Sequence, residues 1–443
     1  MAEQTKKQGF HYAWLILASC CFMFAGSMAL INSIIGVYMV PVTTALECAR
    51  GDFTLMLTTQ AISIVVSMPI WGNIFQNKKI NINLALTIGA LTMIACPLIC
   101  SFATSLPVFY VAGFIGGVGI AACFTMATPV LIGNWFAKQH RGKMIGIASC
   151  FAGVSTIFWS PLFTVIIANF GYQTAYLVNA ILMAVLILPW TLFVIKRNPE
   201  DKGLKPFGFK EDAADAAESV AEAGMPAKAA LKTAAFWIVF FGVALTALGM
   251  GFSNNQAGIA KEFLANTDLA ESAAIIGASM ISAAALGNLL SKLSFGFLAD
   301  RIKLSTCFVI HQLVWLLAFV LWLVGGSVAA VLIAGGFCLG FCNAPSRVGW
   351  ALSIRKLFGN ADYSKIWSYV AVASSIVGGI STSAIAWIYD GTGSYHGALV
   401  VGIVVVVVIA ALAVLACSFI GKYQWEKADE PKSLDEEAAA SVE

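Results

Sequence analysis

Two cations stand where a chain rarely places charge. In "GNLLSKLSFGFLADRIK" (287–303), Lys292 precedes Asp300 by eight residues, about 12 Å along a helix. In "NAPSRVGWALSIRKLFG" (343–359), Arg347 precedes Arg355 by the same spacing and lies equally deep. A cation in apolar surroundings binds an anion, pairs internally, or reaches back to water along its own stem. Arg347 adds a planar fork of donors that fits a carboxylate through two hydrogen bonds. Its other uses are a cap on nearby carbonyls or a charge latch. All 23 acidic residues fall in loops, tails or the ends of apolar segments, so no buried carboxylate neutralises either cation. Two such cations repel each other in a low dielectric and favour a negatively charged ligand.

Other polar groups could complete a site. Asn288 lies one turn before Lys292. Asn32, Gln60, Asn254, Asn255 and Gln256 fall in or near apolar segments, and Tyr38, Trp367 and Tyr369 could form walls around a small organic anion. Each of these aromatics serves equally well as ordinary interhelical packing or as an interface anchor. His311 is the one histidine well inside an apolar segment, and packing at the protein's outer face is its simplest use.

The elements that position these groups follow from composition. The chain has 443 residues, 59% hydrophobic and 11% charged. A soluble domain is nearer one-quarter charged, and many windows of 18 or more residues here are nearly free of charge, the mark of membrane-spanning helices. Twelve spans are expected: 12–40, 53–75, 81–103, 106–133, 143–169, 172–195, 234–259, 272–299, 304–325, 328–353, 364–389 and 395–420. With the N-terminus inside, the outer loops carry Arg50 and Lys261 as their only Lys or Arg, and 22 of the 26 basic residues fall on the inner side or at inner span ends. That asymmetry places both termini in the cytoplasm and the chain in the cytoplasmic membrane. It needs no nucleic-acid partner. The first span is too long for a signal peptide and lacks a small-residue cleavage site, so it is expected to be retained.

The hydrophilic stretch 196–233 divides the spans six and six. Residues 1–195 form an N-terminal half, 196–233 a cytoplasmic loop, 234–422 a C-terminal half and 423–443 a cytoplasmic tail. The halves echo each other. "GNIFQNKK" (72–79) follows the second span and "GFLADRIK" (296–303) the eighth. "NWFAKQHRGKMIG" (134–146) follows the fourth and "KLFGNADYSKIWS" (356–368) the tenth, aligning Phe136 with Phe358 and Lys143 with Lys365. Two repeated halves about an axis along the membrane normal describe an all-α fold of twelve transmembrane helices, with a midplane site between the halves.

"GFLADRIK" resembles the loop signature of the major facilitator superfamily. The resemblance implies that Gly296 lets helices approach closely, and that Asp300, Arg301 and Lys303 hold one gating state. Gly72 opens the first-half copy, which has Gln76 and Asn77 where Asp-Arg is expected. Any latch in that half should be weaker or differently made. "WFAKQHRGKMIGIASCFAG" (135–153), with Arg141 and Gly142, is similar to the helix 4–5 junction of monocarboxylate transporters and the oxalate:formate antiporter group. In those families a helix-8 cation just ahead of a Ser-x-Gly turn binds the substrate carboxylate. "KLSFG" puts Lys292 there, with an amide, Asn288, where monocarboxylate transporters often carry an acid.

The expected function is secondary transport of a small organic anion, a mono- or dicarboxylate. Lack of a buried acid favours anion exchange, while proton-linked transport stays open through Lys292 or the substrate itself. The competing expectation is a permease or exporter of neutral, lipophilic or aromatic compounds. The fifth span, "FWSPLFTVIIANFG" (158–171), lacks the Gly-Pro-x-x-Gly-Gly pattern that many drug exporters carry. No nucleotide loop, catalytic triad or metal cluster stands out, so neither an enzyme nor a cofactor is expected. The partners are the substrate anion, possible protons or a counter-anion, and the lipid bilayer, with the protein a monomer.

Overall fold

A computed structural model describes residues 11–77, 79–208, 224–299, 301–359 and 362–423, without the side chains of Gln76, Lys138, Gln139, Arg347 and Ser364. Twelve helical spans cross the fold in order. They are span 1 Ala13–Ala45, span 2 Arg50–Gln76, span 3 Ile82–Ser101 and span 4 Leu106–Trp135. Spans 5 and 6 run from Lys138 to Val194 and separate at Gly171. Span 7 is Ala234–Phe263, span 8 Ala273–Ala299 and span 9 Leu304–Gly325. Span 10 begins at Ala329 and ends at Phe358, span 11 is Tyr363–Thr392 and span 12 His396–Ser418. The expected boundaries hold to within about five residues.

Local chemistry sets the breaks. Gly171 adopts φ 78° and ψ 165°, a conformation costly for an L side chain, and this alone turns span 5 into span 6. Asn81 and Thr233 accept from backbone N–H groups at the starts of spans 3 and 7. In span 10, Pro345 has no N–H to give the carbonyl one turn back, and the ladder slides into a π turn at Pro345–Gly349.

Interruptions recur every third span. Span 1 has a π turn at Ala29–Ser33 and span 4 one at Ala121–Met126. Span 7 breaks at Ala247, and span 10 is irregular from Gly340 to Gly349. Among the described residues, the middles of spans 2, 3, 8, 9, 11 and 12 are regular. Broken helices in corresponding places mark the repeat unit and the walls of a central pathway.

Buried side chains form two clusters, one drawn from spans 1–6 and one from spans 7–12. The segment between them is tied to both. Phe207 N–H donates to Trp135 O (2.9 Å) and Phe207 O accepts from Ala137 N–H (3.0 Å), at the turn between spans 4 and 5. Met225 N–H donates to Phe358 O (2.8 Å), at the turn between spans 10 and 11. Phe136 and Phe358, aligned by the sequence repeat, thus mark equivalent corners of the two clusters.

Among the described residues, three helix pairs carry most of the contact between the clusters, and their close approaches lie toward the face opposite the termini. Span 1 touches span 7 where a Cβ on Gly36 would lie 2.4 Å from Asn254 O. Spans 5 and 8 join through Ser160 Oγ to Ala278 O (3.0 Å) and Ser282 Oγ to Ile157 O (3.1 Å). Spans 2 and 11 join through Thr54 Oγ1 to Ser383 Oγ (3.0 Å) and Thr58 Oγ1 to Gly379 O (2.8 Å). Toward the termini the pairs part. A Cβ added at Gly142, Gly146 or Gly296 would meet nothing within 4 Å. Ile62, Val66 and Ile70 of span 2 and Tyr369, Val372 and Ile376 of span 11 are exposed. The seam is therefore shut at the far face and open at the face carrying the termini.

Candidate functional site

Lys292 lies in the open part of the seam. The last close approach of spans 5 and 8 is at Gly153, where a Cβ would sit 3.4 Å from Ala285 O. Lys292 is seven residues further on, about 10 Å nearer the termini, and half-buried. Asn288 stands between these levels. Its backbone packs on span 10, where a Cβ on Gly340 would lie 2.5 Å from Asn288 N. Its side-chain Oδ1 is buried with no hydrogen-bond partner. A buried polar atom left unmatched is costly, so a donor is expected there in some state of the protein.

Arg347 falls in the π turn of span 10, an element where the backbone ladder is already irregular. Its side chain lies outside the described residues, as does Asp300. Asn32 also sits in a π turn, in span 1. Its Nδ2 reaches Met28 Sδ at 3.2 Å and its Oδ1 is buried without a partner. Gln60 on span 2 is buried with Nε2 unpartnered. Asn254 and Asn255 are used otherwise: both donate to Thr382 and tie span 7 to span 11.

The aromatics divide. Tyr38 is buried within the first cluster, stacked on Tyr176 at 4.0 Å and next to Phe163. There its ring packs against span 6. Trp367 is half-buried and stacked on Tyr363 at 6.4 Å, near the start of span 11. Tyr369, two residues on, is exposed.

The motif residues hold their turns. Arg141 Nε donates to Phe136 O (3.0 Å), closing the turn between spans 4 and 5. Gly142 beside it is open. Arg301 lies over the Phe297 ring at 3.8 Å, and the Lys303 carbonyl takes the Cys307 N–H of span 9. Gly296 permits no close helix approach in this conformation, since the space at its Cβ is empty. Gly72 lines an open cleft of about 710 Å³ at the termini-bearing end, with Phe75, Met126, Asn134 and Arg197. There Arg197 donates to Asn77 O (2.9 Å) and Ile80 O (3.2 Å). A guanidinium from beyond span 6 thus fastens the first-half loop that lacks Asp-Arg.

His311 is not at the outer face. It is 1% exposed, between spans 8, 9 and 10. Its Nδ1 lies 2.9 Å from Cys307 O and its Nε2 3.0 Å from Ser294 Oγ.

Sequence reasoning missed the far-face latch. Asp390, at the end of span 11, accepts from Arg50 N–H (3.2 Å) and Gly51 N–H (2.9 Å), capping span 2 from the other cluster. Trp387 Nε1 donates to Asp52 Oδ1 (3.0 Å), and the Arg50 guanidinium lies 3.9 Å over the Tyr389 ring. Arg50 Nη1 also reaches Tyr395 OH at 3.2 Å. The rarity of outer cations was the available signal. The pairing itself spans some 340 positions, which no local pattern shows.

The sequence profile of the Major Facilitator Superfamily matches residues 15–256. A probable sulfoacetate transporter of Cupriavidus necator is 28% identical over 193 residues, 40% of this chain and 42% of that one. Monocarboxylate transporter 13 of Rattus norvegicus is 26% identical over 215 residues, 48% of this chain and 46% of that one. The chain thus aligns with under half the length of these curated relatives. Among solved structures, a bacterial homologue of the human lysosomal transporter Spinster, in an inward-facing and unoccupied conformation, aligns with TM-score 0.68 and 16% identity. That alignment covers 96% of this chain and 100% of that one, and it speaks to the fold alone.

Proposed function

The chain belongs to the Major Facilitator Superfamily, and from that premise we propose that it carries a small organic anion, a mono- or dicarboxylate, across the cytoplasmic membrane by alternating access. The observation that carries this reading is the place of Lys292. It is a cation about 10 Å into the open part of the seam, in a chain whose acidic residues all lie in loops, tails or span ends. The relatives named for sulfoacetate and monocarboxylates support an anionic substrate.

In this reading the termini are cytoplasmic and the conformation is inward-open. Residues 1–195 and 234–422 are the rocking halves, joined by 196–233, and 423–443 is a cytoplasmic tail. The anion enters from the termini-bearing side, and Lys292 takes one carboxylate oxygen. Asn288 and Asn32 supply amides, Trp367 and Tyr369 line the way in, and Arg347 is a second anchor for a dicarboxylate. Neutralising Lys292 removes the charge penalty of closing an apolar seam around it. Arg141, Gly142, Gly296, Asp300, Arg301 and Lys303 then form the surfaces that meet when the termini-bearing end shuts.

The test is counterflow in proteoliposomes loaded in turn with formate, lactate, pyruvate, oxalate, malonate and succinate. The expected result is exchange with one or more of these, lost in Lys292→Gln while the variant stays folded. Normal exchange by Lys292→Gln would overturn the role of Lys292. Silence of the wild type across larger aromatic acids as well would move the assignment to neutral solutes.

A further inference from the structure

We propose that a cavity inside the first cluster binds one water molecule, and that this water holds the broken turn of span 1. The cavity lies between spans 1, 2, 3 and 6 and has a volume of about 10 Å³. That is room for a single water and for nothing larger. Its walls include Tyr38, Met56, Cys96, Tyr176 and Asn179, each no more than 3% exposed, so the site is sealed from bulk solvent. The Tyr38 and Tyr176 rings are stacked at 4.0 Å, and each fixes the other's place at the wall.

Three polar atoms of these walls are buried without a hydrogen-bond partner: Tyr38 OH, Tyr176 OH and Asn179 Oδ1. Tyr38 and Asn179 are close neighbours, yet no hydrogen bond of good geometry joins them. Buried polar atoms are nearly always matched, by protein or by ordered water. One water matches all three. It accepts from the two phenols and donates to the amide oxygen, which makes three bonds, the usual number for a buried water. An apolar occupant leaves all three atoms unmatched. A cation is disfavoured, because no carboxylate stands among the lining residues.

The other end of the same amide reaches the broken turn. Asn179 Nδ2 donates to Leu30 O at 2.8 Å, within the π turn Ala29–Ser33. Leu30 and Ile31 of that turn also line the cavity. A primary amide carries donors at one end and an acceptor at the other, and it can turn over. Turned over, Asn179 would set its oxygen against the Leu30 carbonyl. A water donating to Oδ1 holds the amide in the orientation that donates to Leu30. The hydrogen bonds then run one way, from the two phenols through the water and the amide into the turn. That turn carries Asn32, whose own Oδ1 is buried and unmatched. Asn179 is thereby a positioning residue for Asn32. This last step rests on the reading of Asn32 as part of the anion site; the water site does not.

The experiment begins with a structure of the full-length protein at a resolution that shows ordered waters. The expected result is one water within about 3.2 Å of Tyr38 OH, Tyr176 OH and Asn179 Oδ1. A direct bond from a phenol to Asn179 with no water between them overturns the site, and so does an ion in its place. Counterflow then tests the positioning step with the double variant Tyr38→Phe/Tyr176→Phe, which keeps the stacked rings and removes both donors. Its KM for the transported carboxylate is expected to rise about three- to tenfold, the range one hydrogen bond spans, with kcat retained. Asn32→Ala added to that background should raise KM no further. An unchanged KM, or effects of the two changes that simply multiply, overturns the positioning of Asn32. If the double variant does not fold, Tyr176→Phe alone gives the same comparison. A wild type silent with every carboxylate overturns the anion reading and the Asn32 step together, while the water site stands or falls on the structure alone.

Discussion

The two ends of the seam between the helical clusters are built differently. At the far face, charged and aromatic side chains interlock: Asp390 caps span 2, Trp387 crosses Gly51, and Arg50 stacks on Tyr389. At the termini-bearing end the facing surfaces include glycines with empty space before them and exposed side chains such as Ile62, Val66, Tyr369 and Val372. A latch of specific hydrogen bonds is strong when formed and is released as a unit, because its geometry is narrow. A glycine surface has no such commitment, and it closes on any neighbour shaped to fit. The contrast says that far-face contacts set the population of this conformation, and that the opposite end only has to be free of obstruction.

The largest effect is expected where space is shortest. A Cβ at Gly51 would lie 2.0 Å from Trp387 Cδ1, so Gly51→Val should force the far face open or prevent folding. The double variant with Trp387→Ala should restore folded yield. Yield that stays low in the double variant would mean that the clash is not with Trp387. Next comes Asp390→Ala, which removes two hydrogen bonds to a carboxylate, each worth about 1.5–3 kcal/mol. A shift of tenfold or more toward a far-face-open state is expected in distances between spin labels on the 3–4 and 9–10 turns. An unchanged distance distribution would show that the latch does not hold the conformation.

Gly146→Leu sharpens the comparison from the other end. The site is open here, and leucine is the better helix former, so the melting temperature should not fall. Exchange should nonetheless drop about tenfold if the termini-bearing end must close in each cycle. Full exchange would show that closure leaves Gly146 uncovered.

The smallest effect concerns the segment joining the clusters. The Ala227 N–H and then the Lys365 ammonium hold the Asp362 carboxyl below its ordinary value. The clasp is therefore fully present above the carboxylate range and is lost as pH falls through the lowered value. Protection of the Ala227 amide, meaning its exchange rate relative to the intrinsic rate at the same pH, should fall on acidification in the wild type. In Asp362→Asn that protection should be lower from the start and independent of pH over that range. Equal rates in both proteins at neutral pH would remove Asp362 from the clasp.

The twelve spans, their boundaries and the six-and-six division were legible in the chain, because apolar length and helix-ending residues act locally. Lys292 was legible too, since a cation deep in a span is costly wherever it points. Other features needed distant parts of the chain. Tyr38 reads the same in a wall or in a core, and only the Tyr176 ring on span 6 decides. His311 has no legible surroundings until Ser294, 17 residues away on another helix, is seen at its Nε2. The Asp390 cap joins residues 339 and 340 positions apart. The sequence by itself determined which segments enter the membrane and which charges they take with them. Only the tertiary structure decided which helices touch, which end of the seam is shut and which polar groups are matched, because those depend on distances between residues that no local pattern relates.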